Sequence, residues 1–213
     1  MMNRFFSEGQ TVLFQGDSVT DCSRSRTDLS DLSAGYPGKI ATNYNTLFAE
    51  NNIKFINRGV SGNRAIDLLT RYEEDFKAIR PDFVSILIGI NDTWRRYDSN
   101  DETTAEQYEK NYEELLLRLK KDLPHTKIMM IEPFVMQVQP GQRAWREDLD
   151  PKIHAGRRLA NRFADYYLPM DGIFAGLQTK GFAPNLLAAD GVHPTSMGHA
   201  VIANAYLKEL GIL

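Results

Sequence analysis

The 213-residue chain has a single cysteine, Cys22. No intrachain disulfide can form, so the fold must be held by its core, and a reducing compartment, the cytoplasm, is the expected location. Basic charge is not in excess either: 25 lysines and arginines face 28 acidic residues, a formal charge of -3. That balance lacks the footprint of a nucleic-acid-binding protein and does not favour an anionic membrane surface. No apolar run approaches the ~20 residues that a membrane span requires. Near the amino end, Ser7, Glu8 and Gln10 interrupt the chain before a signal-peptide core could form. Metal-ligand spacings, a Gly-Lys-Ser/Thr phosphate loop and a dinucleotide fingerprint are all missing, so no metal or cofactor is expected. Repeats, low-complexity blocks and linkers are missing too, and residues 1–213 are expected to form one domain.

What the chain does have is an alternation of short apolar runs and amphipathic stretches. β-Favouring runs at 11–14, 53–60, 83–88, 127–134 and 167–170 read as strands. Apolar residues at helical spacing mark helices at 38–51, 66–79, 103–123, 153–167 and 196–210. Residues 22–35 read as a long surface loop, 135–150 as a loop at the rim of a site, and 182–189 as irregular chain. Strands alternating with helices predict a parallel sheet covered on both faces, with 83–88, apolar on both sides apart from Ser85, at its centre.

The first strand stops at Gly16 and delivers Asp17 and Ser18 at its carboxyl end, where open α/β sheets bind ligands. Gly-Asp-Ser alone is an ordinary turn; as a nucleophile, Ser18 needs a base. His125 and His154 sit in surface-like contexts, and His199 lies in the last helix, where it has a packing role open to it. His193 differs, because Asp190 precedes it by three residues in a turn set by Gly191 and Pro194. Such a turn can bring Asp190 to Nδ1 and leave Nε2 facing a serine. Donors for a developing oxyanion are available from the Ser18 N–H, the Gly62 N–H and the Asn91 amide, although Gly62 also reads as a turn and Asn91 as a helix cap. Asp17, Tyr36, Arg64, Trp94 and Tyr97 are candidate substrate-binding residues. Arg24 and Arg26 are further candidates to face the site, Asp17 and Asp92 to brace their loops, and Cys22 to be a buried, inert thiol.

In this order, Gly16-Asp17-Ser18, Gly62, Gly89-Ile90-Asn91-Asp92 and Asp190-Gly191-Val192-His193-Pro194 resemble the four blocks of the SGNH (GDSL) hydrolases. The resemblance spans nearly the whole chain. It implies Ser18 as nucleophile, His193 as base, Asp190 as its orienter, and Gly62 and Asn91 as oxyanion donors. The implied fold is a flavodoxin-like α/β/α sandwich with strand order 2-1-3-4-5. The Gly-x-Ser-x-Gly elbow of the other large serine-hydrolase scaffold is absent. Residues 16–22, Gly35-Tyr36, 89–98 and Glu132-Pro133-Phe134 further resemble the intracellular acetyl-xylooligosaccharide esterases of this family. That branch implies a small acetylated sugar as substrate and a homo-oligomer. The chain departs from it at Ala188-Ala189, where those esterases carry an aromatic residue before the Asp-x-x-His turn. A lipolytic esterase or thioesterase for longer acyl chains, and a carbohydrate-binding protein without turnover, are the alternative expectations.

Overall fold

Five strands carry the fold: β1 (Thr11–Gly16), β2 (Lys54–Asn57), β3 (Phe83–Leu87), β4 (Lys127–Ile131) and β5 (Tyr166–Leu168). In the computed structural model, which describes residues 4–213, they pair in parallel in the order β2-β1-β3-β4-β5. This is the expected order. The crossovers hold helices α1 (Ser18–Asp21), α2 (Tyr36–Phe48), α3 (Ala65–Thr70), α4 (Ile90–Asp98), α5 (Ala105–Asp122), α6 (Arg146–Phe163) and, beyond β5, α7 (Met170–Thr179), α8 (Pro184–Leu187) and α9 (Ser196–Glu209).

The period of two along each strand sorts the apolar side chains into two cores. Val12, Phe14, Phe83, Leu87, Met129 and Ile131 face one side, against Tyr36, Ile40 and Tyr44 of α2 and Ile202 and Tyr206 of α9. Leu13, Val84, Ile86, Ile128 and Met130 face the other, against Leu68 of α3, Leu115 and Leu119 of α5 and Leu159 of α6. Each crossover therefore buries one apolar stripe, which gives a sandwich of helices, sheet and helices. Among the described residues no helix is long and apolar enough to cross a membrane.

Several elements differ from the sequence reading. The expected helix at 66–79 is broken: α3 ends at Thr70, and Glu73–Lys77 winds as a π-turn closed by the Ala78 N–H on the Glu73 carbonyl at 2.9 Å. The buried Asp75 carboxylate in that turn is paired with Arg71 and with Arg58. Helix α6 starts at Arg146, seven residues before the expected 153, and contains Pro151. Ion pairs Arg146–Asp150 and Lys152–Asp148, each one turn long, support the backbone around the donor that the proline lacks. Helices α1, α4, α7 and α8 are additional, α8 lying within the stretch 182–189 that was expected to be irregular. A third apolar cluster, Ile90, Val135, Trp145, Leu149, Ile153 and Val192 with Trp94 against it, joins α4, the rim loop and α6 beside residue 193.

Candidate active site

Strand order reverses direction from β1, whose neighbours are β2 and β3, and this is the switch point at which α/β sheets open a crevice. Ser18, at the start of α1 beyond β1, and Asn91, in the first turn of α4 beyond β3, flank it. Gly16 is required at the exit from β1, because a Cβ there would run into the Leu87 carbonyl and the Thr20 hydroxyl. Asp17 then caps α1, accepting the Val19 N–H at 2.9 Å. Ser18 is the first helical residue, so its own N–H has no partner four residues back in α1.

The Ser18 Oγ lies 2.9 Å from Nε2 of His193, and Nδ1 of His193 lies 2.6 Å from Oδ2 of Asp190. The other carboxylate oxygen, Oδ1, accepts the backbone N–H groups of His193 at 2.7 Å and Val192 at 3.0 Å. Partial burial alone would raise the Asp190 pKa. The His193 N–H, the imidazole and the Val192 N–H outweigh it and hold the carboxyl below the usual range. Asp190 is thus the charged partner that orients the ring. The site is open: 44% of the His193 side chain is exposed.

Two loops approach from the other strand ends. Gly62 is exposed at φ +84, a conformation glycine adopts without strain, and a Cβ there would meet nothing within 4 Å. The Asn91 amide donates to the Asn63 carbonyl at 3.0 Å, which fixes the side chain beside the Gly62 loop and leaves a second N–H to donate. Asp92 binds the Ala65 N–H at 3.2 Å, and burial pushes its carboxyl up to about 7 against that N–H and the Lys152 and Arg64 charges. Asp21 and two arginines brace the same loop. Asp21 Oδ2 accepts the Ser61 hydroxyl and N–H at 2.6 and 3.0 Å and pairs with Arg26 at 2.6 Å, while Arg24 and Arg26 donate to the Gly59 carbonyl.

Three of the five candidate substrate-binding residues are placed otherwise. Tyr36 is fully buried, its hydroxyl 2.9 Å from the Thr20 hydroxyl and its ring against Phe14, so it is a core residue. Asp17 is buried as the α1 cap, and burial pushes its carboxyl up to about 7 in spite of the Val19 N–H and the His193 charge. Arg64 is tied to Asp101 at 2.5 Å and to the Thr103 hydroxyl at 3.3 Å. Trp94 lies beside His193, and Tyr97 is further out, behind Trp145. The Trp94 ring centroid is 5.7 Å from that of His193 and 5.3 Å from that of Trp145, Tyr97 stacks on Trp145 at 5.5 Å, and the Tyr97 hydroxyl donates to the Ala144 carbonyl at 2.9 Å.

His199 takes the packing role: Nδ1 accepts the Tyr36 N–H at 3.1 Å and Nε2 is 3.5 Å from the Cys22 thiol. Burial, with the Lys39 and His193 charges, lowers its pKa to about 4. Burial pushes the Cys22 thiol up, which disfavours a reactive thiolate. Among the described residues, no three His, Cys, Asp or Glu side chains group as a metal site. The sequence reading missed Gln142, whose amide meets the Asp190 carbonyl at 2.6 Å. Nothing in the composition of its loop singles that glutamine out.

A hydroxyl, an imidazole and a carboxylate in series, set at the carboxyl edge of a parallel sheet, are the working parts of a serine hydrolase. The chain belongs to the GDSL-like lipase/acylhydrolase family, whose model matches residues 14–201. It is 34% identical over 212 residues to an acetylxylan esterase from Geobacillus stearothermophilus, covering 95% of this chain and 94% of that one. A solved variant of an acetyl xylan esterase from the same organism superposes with a TM-score of 0.88 at 32% identity, covering 98% and 97% of the two chains. A GDSL-like protein from Parabacteroides merdae superposes with a TM-score of 0.92 at 32% identity, over 100% and 99%. Catalytic mutants of the Geobacillus esterase alter a serine, an aspartate and a histidine, the last two being three positions apart. Another of its variants alters a tryptophan directly before that aspartate, where this chain has Ala189. On its family and these likenesses the chain is a carboxylic ester hydrolase.

Proposed function

We propose that the chain is a serine esterase that removes acetyl groups from acetylated xylo-oligosaccharides or related sugars. The observation that carries the reading is the series from the Ser18 Oγ through His193 to Asp190, at 2.9 and 2.6 Å. His193 Nε2 takes the hydroxyl proton as Ser18 Oγ attacks the ester carbonyl. The Ser18 N–H, the Gly62 N–H and the Asn91 amide stabilise the negative oxygen of the tetrahedral intermediate. Collapse breaks the bond to the sugar oxygen, which leaves with the proton from His193. Water, deprotonated by the same imidazole, then attacks the acyl-serine and releases acetate and free Ser18.

The sugar substrate is supported by the identity to an acetylxylan esterase over 95% of the chain. Exposure of the His193 side chain fits a bulky leaving group, and Trp94 offers an aromatic flank for a sugar ring. We assign the chain to one domain, on the single sheet found among the described residues. A cytoplasmic location is supported by the lone cysteine, and a homo-oligomer by the resemblance to the acetyl-xylooligosaccharide esterases. The test is acetate release from acetylated xylo-oligosaccharides and aryl acetates, measured alongside Ser18→Ala. The native chain should release acetate from the sugars and the variant should not. Faster hydrolysis of octanoyl than of acetyl esters would overturn the substrate in favour of a lipolytic esterase.

A further inference from the structure

The turn that carries Asp190 and His193 is held from outside by one side chain. Gln142, in the loop between β4 and α6, is 4% exposed. Its Nε2 donates to the backbone carbonyl of Asp190 at 2.6 Å, and its Oε1 accepts the N–H groups of Val138 at 2.9 Å and Gln139 at 2.7 Å. Alongside it, the Met136 N–H donates to the Gly191 carbonyl at 2.8 Å. Successive carbonyls of the turn, those of residues 190 and 191, are therefore both anchored to the rim loop. The approach depends on Gly191, at φ +89, because a Cβ there would collide with the Met136 carbonyl and the Gln142 amide.

The same loop carries Ala144, whose carbonyl holds the Tyr97 hydroxyl, and Trp145, which packs on Trp94 beside the His193 ring. A buried amide with both ends engaged has one orientation, whereas a loop held only by apolar contacts can slide. We propose that Gln142 is a positioning residue for the esterase: it latches the rim loop to the acid–base turn and so fixes the His193 ring relative to the Ser18 hydroxyl. The proposal rests on the relay of Ser18, His193 and Asp190 set out above. Gln142 acts through that turn and touches no reacting atom in the mechanism.

Two substitutions separate this role from simple packing. Gln142→Met keeps most of the volume and removes the donor and the acceptor. With hydrolysis of an aryl acetate as the assay, it should lower kcat about 10- to 100-fold and change KM less than about 3-fold, since a misplaced base slows chemistry more than binding. Gln142→Glu keeps the acceptor for Val138 and Gln139 but can donate to the Asp190 carbonyl only when protonated. Its kcat relative to the native chain should therefore fall as pH rises from about 5 to about 8, because burial raises a carboxyl pKa into that range. A glutamine that serves packing alone would give a ratio independent of pH. Native kcat in Gln142→Met, or a flat ratio in Gln142→Glu, overturns the proposal when Ser18→Ala and His193→Ala are both inactive. Native turnover in His193→Ala would overturn the relay and the latch together.

Discussion

At the scale of single residues, the proposed chemistry turns on groups whose direction is set by one or two hydrogen bonds. Asn91 has one amide N–H on the Asn63 carbonyl, which aims the other. Replacing it with alanine should lower kcat on an aryl acetate roughly 10²- to 10³-fold, the usual cost of one oxyanion donor, with little change in KM. An unchanged kcat would remove Asn91 from the oxyanion site. Ser18, Asp190 and His193 stood out as candidates through local pattern, a glycine exit from a strand and an acid three residues before a histidine, and took their proposed roles from the four ordered blocks that resemble the family. Tyr36, Asp17 and Arg64 were not. A tyrosine, an aspartate and an arginine can each serve a core, a cap or a substrate, and which one applies depends on neighbours such as Thr20, Val19 and Asp101.

At the scale of elements, α9 is joined to the start of α2 by His199, a neutral imidazole accepting the Tyr36 N–H. Its pKa falls from 6.5 to about 4 on folding, chiefly through burial. The unfolded chain thus binds a proton between those values that the folded chain refuses. This contribution to stability is intact above pH 6.5 and is lost as pH drops toward 4, a change of roughly 3 kcal/mol. His199→Asn retains an acceptor and removes the titration. Urea unfolding at a series of pH values should show a shallower acid decline for the variant, and parallel curves would exclude His199 as the source. Strands were legible as elements because apolar runs of the right length have few other uses. Helix α4 was not, since its buried residues, Ile90, Asn91, Asp92 and Thr93, are consecutive and mostly polar, so no apolar repeat at helical spacing announces it. In α7, Met170, Ile173, Phe174 and Leu177 do repeat at helical spacing, but Gly172 and Gly176 weaken the signal. Pro151 hid the first turns of α6 in the same way.

At the scale of the whole molecule, both cores are nucleated on one sheet, so damage to its central strand should be felt throughout. Ile86 is fully buried in β3, against the helices of the α3, α5 and α6 layer. Ile86→Ala should cost about 2–5 kcal/mol in chemical denaturation and lower the thermal midpoint. A loss below ~1 kcal/mol would mean that this layer repacks freely. By itself, the sequence determined the class of fold, the strand order through its family blocks, and the three residues of the proposed relay. The fold class rests on alternation along the chain, and the strand order and the relay on the ordered blocks that resemble the family. Only the tertiary structure decided that Tyr36 is core, that Arg24 and Arg26 brace the Gly62 loop, and that Gln142 grips the Asp190 carbonyl. Those outcomes depend on contacts between segments far apart in sequence, where a side chain's reach and burial, not its local pattern, select its partner.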